Sequence, residues 1–537
     1  MRKIGFGKIA LAAAVFCAAA TIAAQGQTFA TLGEFTGANG ANPDGAVLQA
    51  ADGSLEVPTF SGGGNPTYGC PFTGGCGTIE KIENNEFLGN LPFCSKASCD
   101  VGWAPTGALV QGTNGILYGA TVYGGSSPYC STVFSNNYGC GTIFELTQKG
   151  VLTILYTFCS QPNCADGALP NGPLVRGLNG NFYGTTQAGG ANCALGSGGK
   201  GCGTVFQITT AGKLTTLYSF CSQISTGGGC TDGMNPLAGL VLSPSGTFLG
   251  TTTFGGTTPD CPAFDCGTVF EISPAGHLTR LHSFCSETHC TDGNRPYAGL
   301  TQASNGKFYG TTSVGGSATA DAGTIFEIAT GEKLTTLYTF CSQTNCSDGI
   351  GPLGGLVQGT DGNLYGTTSE GGTSSSCPFT GPPVTGCGTI FQITLAGTLT
   401  TLYNFCSQSG CPDGELPKQT LFQGTDASFY GTTYQGGDTT TCRGGTGCGT
   451  VFSLSMGLAP FVQANPNFGK PGAVIDILGS GLTGATGVTF NGTVASFTVE
   501  GDTYIQATIP AGAASGTIQV TTPSGTLSSN VAFQVSP

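Results

Sequence analysis

The tetrapeptide Gly-Thr-(Ile/Val)-(Phe/Glu) begins at Gly77, Gly141, Gly203, Gly267, Gly323, Gly388 and Gly449, at intervals of 64, 62, 64, 56, 65 and 61 residues. A fixed period constrains a chain more than any other feature. Each unit must be one supersecondary structure that buries its apolar face against its neighbours. Before each tetrapeptide lies a Tyr-Gly-Thr-Thr-like segment and a Gly-Gly pair. Six segments start at Tyr118, Tyr183, Leu249, Tyr309, Tyr365 and Tyr430, and the seventh is the degenerate Val57-Pro58-Thr59-Phe60. Every unit holds four short runs of β-branched and aromatic residues, here strands a to d, as in residues 355–358, 364–368, 389–393 and 399–403. Asn179-Gly180, Asn305-Gly306 and Asp361-Gly362 predict two-residue hairpins with positive φ between a and b. No window keeps a 3.6-residue apolar period over ten residues, which excludes a helical repeat.

Four antiparallel strands per unit predict an all-β chain built of β-propeller blades. The phase adds to this. The segment Thr28–Phe35 aligns with strand d, whereas the array ends on Gly449–Leu454, a strand c. An orphan d at the start and a missing d at the end predict a seven-bladed propeller over residues 27–456, closed by the N-terminal strand so that no edge is left open.

Composition excludes other classes. Only 8% of the 537 residues are charged, 39% are hydrophobic and the net charge is −13. Coiled coils and charge-driven disorder do not fit, and nothing basic is present to bind nucleic acid. Arg2, Lys3 and Lys8 precede an apolar, Ala-rich run to Ala24. That is a signal-peptide pattern over residues 1–24 and predicts export, extracellular, cell-surface or periplasmic. No later stretch is long and apolar enough to span a membrane.

The Tyr-Gly-Thr-Thr, Gly-Gly, Gly-Thr-Val-Phe and Asp-Gly-x-x-Pro elements resemble the tandem repeat named GloVer, after Gloeobacter and Verrucomicrobia. The resemblance implies an exported bacterial protein with a propeller-like fold and implies no established activity. Its usual C-terminal anchor is not recognisable here. Residues 458–537 instead resemble an IPT/TIG immunoglobulin-like domain, through Pro466–Gly472, Ile475–Leu482, Val488–Gly492 and Ile505–Pro510. That resemblance implies a small β-sandwich.

Without Cys17 the exported chain carries 24 cysteines, an even number that reads as disulfides. One set follows strand d: Cys94/Cys99, Cys159/Cys164, Cys221/Cys230, Cys285/Cys290, Cys341/Cys346 and Cys406/Cys411. The other precedes strand c: Cys70/Cys76, Cys130/Cys140, Cys193/Cys202, Cys261/Cys266, Cys377/Cys387 and Cys442/Cys448. Pairing across the c–d hairpin, as between Cys140 and Cys159, is sterically open. Yet residues 317–322 lack both members of one set while Cys341 and Cys346 remain, and cysteines that vanish as couples predict local pairing. Zinc would need C-x2-C spacing or nearby histidines. His277 and His282 instead point to opposite faces of one strand, so no metal and no cofactor is expected.

In a four-stranded blade the b–c and d–a connections share one face, so all 24 cysteines stiffen one face of the ring. Asp44, Asp166, Asp232, Asp292, Asp348 and Asp413 precede glycine in the d–a connections. Asp-Gly is turn chemistry, and a cation-binding carboxylate ring is the alternative reading. Gly479–Gly484 matches G-x-G-x-x-G but lies between strands with no helix to follow. No catalytic constellation is singled out. Tyr68, Phe72, Trp103, Tyr129, Tyr138, Phe264, Phe379 and Tyr434 lie in or beside the loops of the cysteine face. As exposed aromatics they would form a ligand face. The expected function is non-enzymatic binding, adhesion or surface display, with a glycan or a surface protein as partner. A polysaccharide hydrolase or lyase and a structural envelope component are the alternatives.

Overall fold

A computed structural model describes residues 26–63, 75–94, 99–112, 115–133, 138–192, 202–225, 228–257, 266–317, 321–374, 386–437, 440, 442 and 447–536. The predicted signal segment lies outside these residues. The described chain is all-β apart from short helical turns such as Cys130–Val133. No helix among the described residues is long and apolar enough to cross a membrane.

Among the described residues, seven repeat sheets carry the order a-b-c-d, sheet 1 with two short strands on its strand b, every neighbouring pair antiparallel, consistent with propeller blades. Sheet 3 is representative, with strands Val175–Arg176, Phe182–Thr186, Thr204–Ile208 and Leu214–Ser219. In sheet 7, Phe422–Gln423, Phe429–Thr433 and Thr450–Ser455 supply a, b and c, and Thr28–Glu34 pairs with Thr450–Ser455 as the fourth strand. In sheet 1, Leu55–Ser61 and Thr78–Glu83 pair Thr59 with Thr78, as sheet 3 pairs Thr186 with Thr204. The counterpart of Tyr-Gly-Thr-Thr is therefore Glu56–Thr59, one residue earlier than the Val57 start expected from sequence.

The repeated residues explain the repeated geometry. The second Thr of Tyr-Gly-Thr-Thr and the Thr of Gly-Thr-Val-Phe face each other across strands b and c. In sheet 3 the hydroxyls of Thr186 and Thr204 are 2.8 Å apart, and Thr204 N donates to Thr186 Oγ1 at 3.1 Å. The same hydroxyl pair recurs in the other six sheets. Both residues are fully buried in sheet 3, and the reciprocal bond satisfies them without water. The glycine between Tyr and Thr makes room for the paired phenylalanine. A Cβ on Gly184 would come 2.7 Å from the Phe206 ring.

The a–b turns differ from the two-residue hairpins expected. In sheet 3, Gly180 N donates to Gly177 O and Gly177 N to Asn181 O. Gly180 has φ 81° while Asn179 has no positive φ. This is a turn relieved by one left-handed glycine. Asn179 Oδ1 accepts from Asn181 N at 3.1 Å instead, because an Asx turn satisfies the side chain without positive φ.

Neighbouring sheets meet through one recurrent junction. The residue before each proline of the d–a connection donates its N–H to the carbonyl that precedes Gly-Thr in the preceding sheet. Ala104 N bonds Cys76 O at 2.8 Å, Asn235 N bonds Cys202 O at 2.8 Å, and between sheets 7 and 1 Asn42 N bonds Cys448 O at 2.7 Å. The proline then packs on that glycine. A Cβ on Gly203 would lie 2.7 Å from Pro236 Cδ, and one on Gly449 would lie 2.7 Å from Pro43 Cδ.

The C-terminal unit is a sandwich. One sheet orders Gln463–Asn465, Val474–Leu478, Tyr504–Thr508 and Phe497–Gly501; the other orders Thr493–Val494, Gly487–Phe490, Ile518–Thr522 and Gly525–Ser528. Val462, Ile477, Val488, Phe490, Ile505 and Phe533 fill its core. It rests on the a–b turn side of the repeats, where Thr503 Oγ1 donates to Ala51 O at 3.0 Å and Asn465 Nδ2 to Gln111 O at 3.3 Å. The glycines of Gly479–Gly484 serve a turn around Asp502, which accepts from Gly481 N and Thr483 N.

Candidate functional site

The d–a connection builds the cysteine face. Where strand d of sheet 2 ends, its Tyr156 illustrates the arrangement: the hydroxyl donates to Asp166 Oδ2 at 2.8 Å, and Ser160 N and Gln161 N donate to the same carboxylate at 2.9 and 3.2 Å. Tyr218 with Asp232, Tyr338 with Asp348, and Tyr403 with Asp413 repeat the bond at 2.7–2.8 Å. His282 replaces the tyrosine in one repeat and meets Asp292 at 2.9 Å. Burial pushes the Asp292 carboxyl up, but hydrogen bonds from His282 and Ser286 outweigh it and hold it below the usual range. These aspartates are buried and bond their own connection, so turn chemistry accounts for them. Asp44 does not belong to the set. Asn39, which accepts from Thr36 N at 2.7 Å, takes the aspartate's place in the first repeat.

Disulfides tie the d–a connections and the b–c connections beside them. Cys94–Cys99, Cys159–Cys164, Cys221–Cys230, Cys285–Cys290, Cys341–Cys346 and Cys406–Cys411 follow strand d; Cys130–Cys140 and Cys442–Cys448 precede strand c. Cys76, Cys202, Cys266 and Cys387 are also disulfide-bonded, while Cys70, Cys193, Cys261 and Cys377 lie outside the described residues. The sulfurs of Cys130, Cys140 and Cys159 lie within 4.8 Å of one another. In the structure the bonds nonetheless run within each couple, which leaves these sulfurs unable to ligate a metal as thiolates.

Past the aspartate and glycine, the chain enters a left-handed residue before the proline: Asn42, Ala104, Leu169, Asn235, Arg295 and Leu416 have φ between 52° and 57°. The residue after the proline then varies from repeat to repeat. Asp44, Asn171, Leu237, Tyr297, Leu353 and Lys418 all line one cavity of about 1080 Å³, together with Arg295, Asp321, Ser369 and Glu370. Its lining is mixed, with leucines and Ala108 interspersed among charged groups.

One side of this mouth is electrostatically tuned. Gln419 Nε2 donates to Asp44 Oδ1 at 2.8 Å, and the Lys418 ammonium sits 3.8 Å from the centre of the Tyr434 ring. Burial raises the Asp44 carboxyl to about 6 against the opposing pull of Lys418 and Gln419. Burial likewise lowers the Lys418 ammonium, with Asp44 and Glu370 opposing. In the same lining, the Arg295 guanidinium lies 5.7 Å from the Phe254 ring centre, and Tyr297 is 37% exposed.

The aromatics expected on a ligand face divide. Trp103 is a core residue, 2% exposed, stacked on Tyr123 at 4.4 Å with its Nε1 donating to Tyr138 O. Its indole is buried because strand a of sheet 2 begins at Trp103 itself and turns the ring into the sheet. Tyr129 and Tyr138 are half-buried. Tyr434 stands beneath Lys418 at the mouth. Tyr68, Phe72, Phe264 and Phe379 lie outside the described residues. Sequence reasoning missed the mouth itself. Its signal was the position after each proline, the one place in Asp-Gly-x-x-Pro-x where acid, base, amide, aromatic and aliphatic residues alternate.

No curated protein matches the chain. Among solved structures, a fungal alcohol oxidase of the AA5 family in complex with copper is 12% identical, covering 95% of this chain and 99% of its own, with a TM-score of 0.46. A putative gluconolactonase is 11% identical over 59% of this chain and 82% of its own, TM-score 0.32. A luciferin-regenerating enzyme is 12% identical over 66% and 92%, TM-score 0.35. The model of the Gloeobacter/Verrucomicrobia repeat matches residues 128–379 and 196–452, and that of the IPT/TIG domain matches residues 461–535. On the strength of those two matches, the chain belongs to the Gloeobacter/Verrucomicrobia repeat family and carries a C-terminal IPT/TIG domain.

Proposed function

We propose that the protein is an exported, non-enzymatic binding scaffold: a seven-bladed propeller closed by its N-terminal strand, stapled by locally paired cysteines, and binding a glycan at the mouth formed by the residues after the prolines. One observation carries the reading. The inter-sheet junctions, including that from Cys448 to Asn42, use the same bond, whereas the mouth residues differ in nearly every repeat. Architecture demands the repeated positions; recognition profits from the varied ones. Disulfide-tied loops lose little entropy on association, and a mouth lined by both leucines and charged groups suits the apolar and hydroxyl faces of a sugar. The many disulfides accord with export.

The rival reading is carboxylate chemistry on a polysaccharide, favoured by Asp44, held near 6, with Glu370 lining the same cavity. One experiment separates the two. Glycan-array hits are titrated calorimetrically against the wild type and the Lys418→Ala and Tyr297→Ala variants. A tenfold or greater loss in both variants, without product release, supports binding. Turnover abolished by Asp44→Asn supports the rival, and no retained glycan contradicts both.

A further inference from the structure

The junction between sheets 1 and 2 lacks a part that every other junction has. In sheet 3, Tyr183 lays its ring against Phe248 of sheet 4 with centroids 4.1 Å apart, and its hydroxyl accepts from Asn179 Nδ2 in the a–b turn at 2.9 Å. Tyr118 with Phe182 and Tyr365 with Phe429 repeat the ring contact. The remaining three junctions keep one ring, in the pairs Leu249 and Phe308, Tyr309 and Leu364, and Tyr430 and Leu55. Between sheets 1 and 2 the same positions hold Glu56 and Leu117, and no ring. The turn position of Asn179 holds Asp52, and the Lys81 ammonium pairs with it where a tyrosine hydroxyl reaches elsewhere.

The volume of the missing ring is open. A cavity of about 220 Å³ lies there, walled by Ile79, Leu117 and Leu146 and edged by Glu56, Asp52 and Lys81. Glu56 is 8% exposed, and the one hydrogen bond to its carboxylate among the described residues is a long 3.4 Å contact from Ser54 Oγ. An apolar cavity of about 150 Å³ suffices to bind benzene, and sites for drug-sized ligands begin near 300 Å³. The occupant is therefore a single ring with small substituents. Asp52 and Lys81 together supply an acceptor and a donor at the end where Tyr183, Tyr309, Tyr365 and Tyr430 engage their own a–b turns.

We propose that the cavity between sheets 1 and 2 binds a small phenol, its ring against Ile79, Leu117 and Leu146 and its hydroxyl between Asp52 and Lys81. The ligand would take the place of the tyrosine ring that the other repeats carry on the chain. This site is separate from the mouth and does not depend on the glycan reading.

The test titrates p-cresol, toluene and glucose into the full chain by calorimetry and saturation-transfer NMR. Saturable p-cresol binding is expected, with toluene at least tenfold weaker and glucose inert. Glu56→Tyr, which restores the ring, should abolish p-cresol binding; Lys418→Ala at the mouth should leave it unchanged. Lys81→Met keeps the cavity but removes the donor, so a tenfold loss there tests the proposal even if Glu56→Tyr fails to fold. No saturable p-cresol binding, equal binding of toluene, glucose displacing p-cresol, or binding indifferent to both variants would overturn it.

Discussion

Sheets 3 and 1 share one topology yet keep different parts of the repeat. Both retain the threonine pair, Thr186 with Thr204 and Thr59 with Thr78. Both receive a proline on the glycine of the preceding sheet, Pro170 on Gly141 and Pro43 on Gly449. What sheet 1 gives up is face packing, and it does so in matched couples. Where sheet 3 sets Gly184 against Phe206, sheet 1 sets Val57 against Glu80. Where sheet 3 sets Tyr183 against Gln207, sheet 1 sets Glu56 against Lys81. The hydrogen-bonded seams are thus the part an array of this kind cannot change, because a buried hydroxyl or amide left alone costs more than a reshaped apolar contact. The faces can drift provided that both partners drift together.

The largest expected effect breaks the part that both sheets keep. Gly449 has φ 93°, and a Cβ there would lie 2.2 Å from Thr433 O. Gly449→Ala should destabilise by about 3 kcal/mol or more, through strain and overpacking together. Gly203→Ala, whose Cβ would lie 2.3 Å from Thr186 O, should match it. Gly306→Ala serves as the reference: it shares the positive φ but has open space around it, and should cost only about 1 kcal/mol. Chemical denaturation of the three variants checks this, and a Gly449 loss as small as that of Gly306 would separate the junction between sheets 7 and 1 from the rest.

A smaller effect sharpens the difference between the sheets. Glu80 is 1% exposed. Burial raises its carboxyl from 4.5 to about 7, with a Gly89 backbone hydrogen bond opposing and the Glu56 charge adding to the rise. The folded chain therefore ionises this group less readily than the unfolded chain. Its contribution is present below about 4.5 and is lost as pH rises to about 7. Glu80→Gln should flatten that fall in stability, by about 1–3 kcal/mol at neutral pH. Phe206, which holds the position of Glu80 in sheet 3, does not titrate, so substitutions at that position should not change the slope. Denaturation midpoints at pH 4.5 and 7.5 report the difference.

In sheet 6, strands b and c were legible to the residue, since Leu364–Thr368 and Thr389–Ile393 follow from alternation and β-branching alone, whereas the degenerate strand b of sheet 1 reads one residue late from sequence. The phase of Thr28–Phe35 was legible as well, because its spacing of apolar residues repeats that of strand d. The burial of Trp103 was not, for a loop-flanking tryptophan reads the same whether its ring turns in or out. The place of Asp44 was hidden by a second Gly five residues after Gly40, which mimics the Asp-Gly turn one proline too late. The mouth escaped because its residues are distant in sequence and meet only when successive prolines carry them together.

The central claim is that Thr28–Glu34 completes sheet 7 and seals the array. Native-state amide hydrogen exchange tests it without altering the protein. If the claim holds, amides of residues 28–34 and 450–455 will be protected as strongly as those of strands c and d in sheets 3 to 6, and will exchange together with them as denaturant is added. If residues 28–34 instead exchange at the rate of an unpaired chain while residues 450–455 lose protection along one edge, the N-terminal strand does not close the ring.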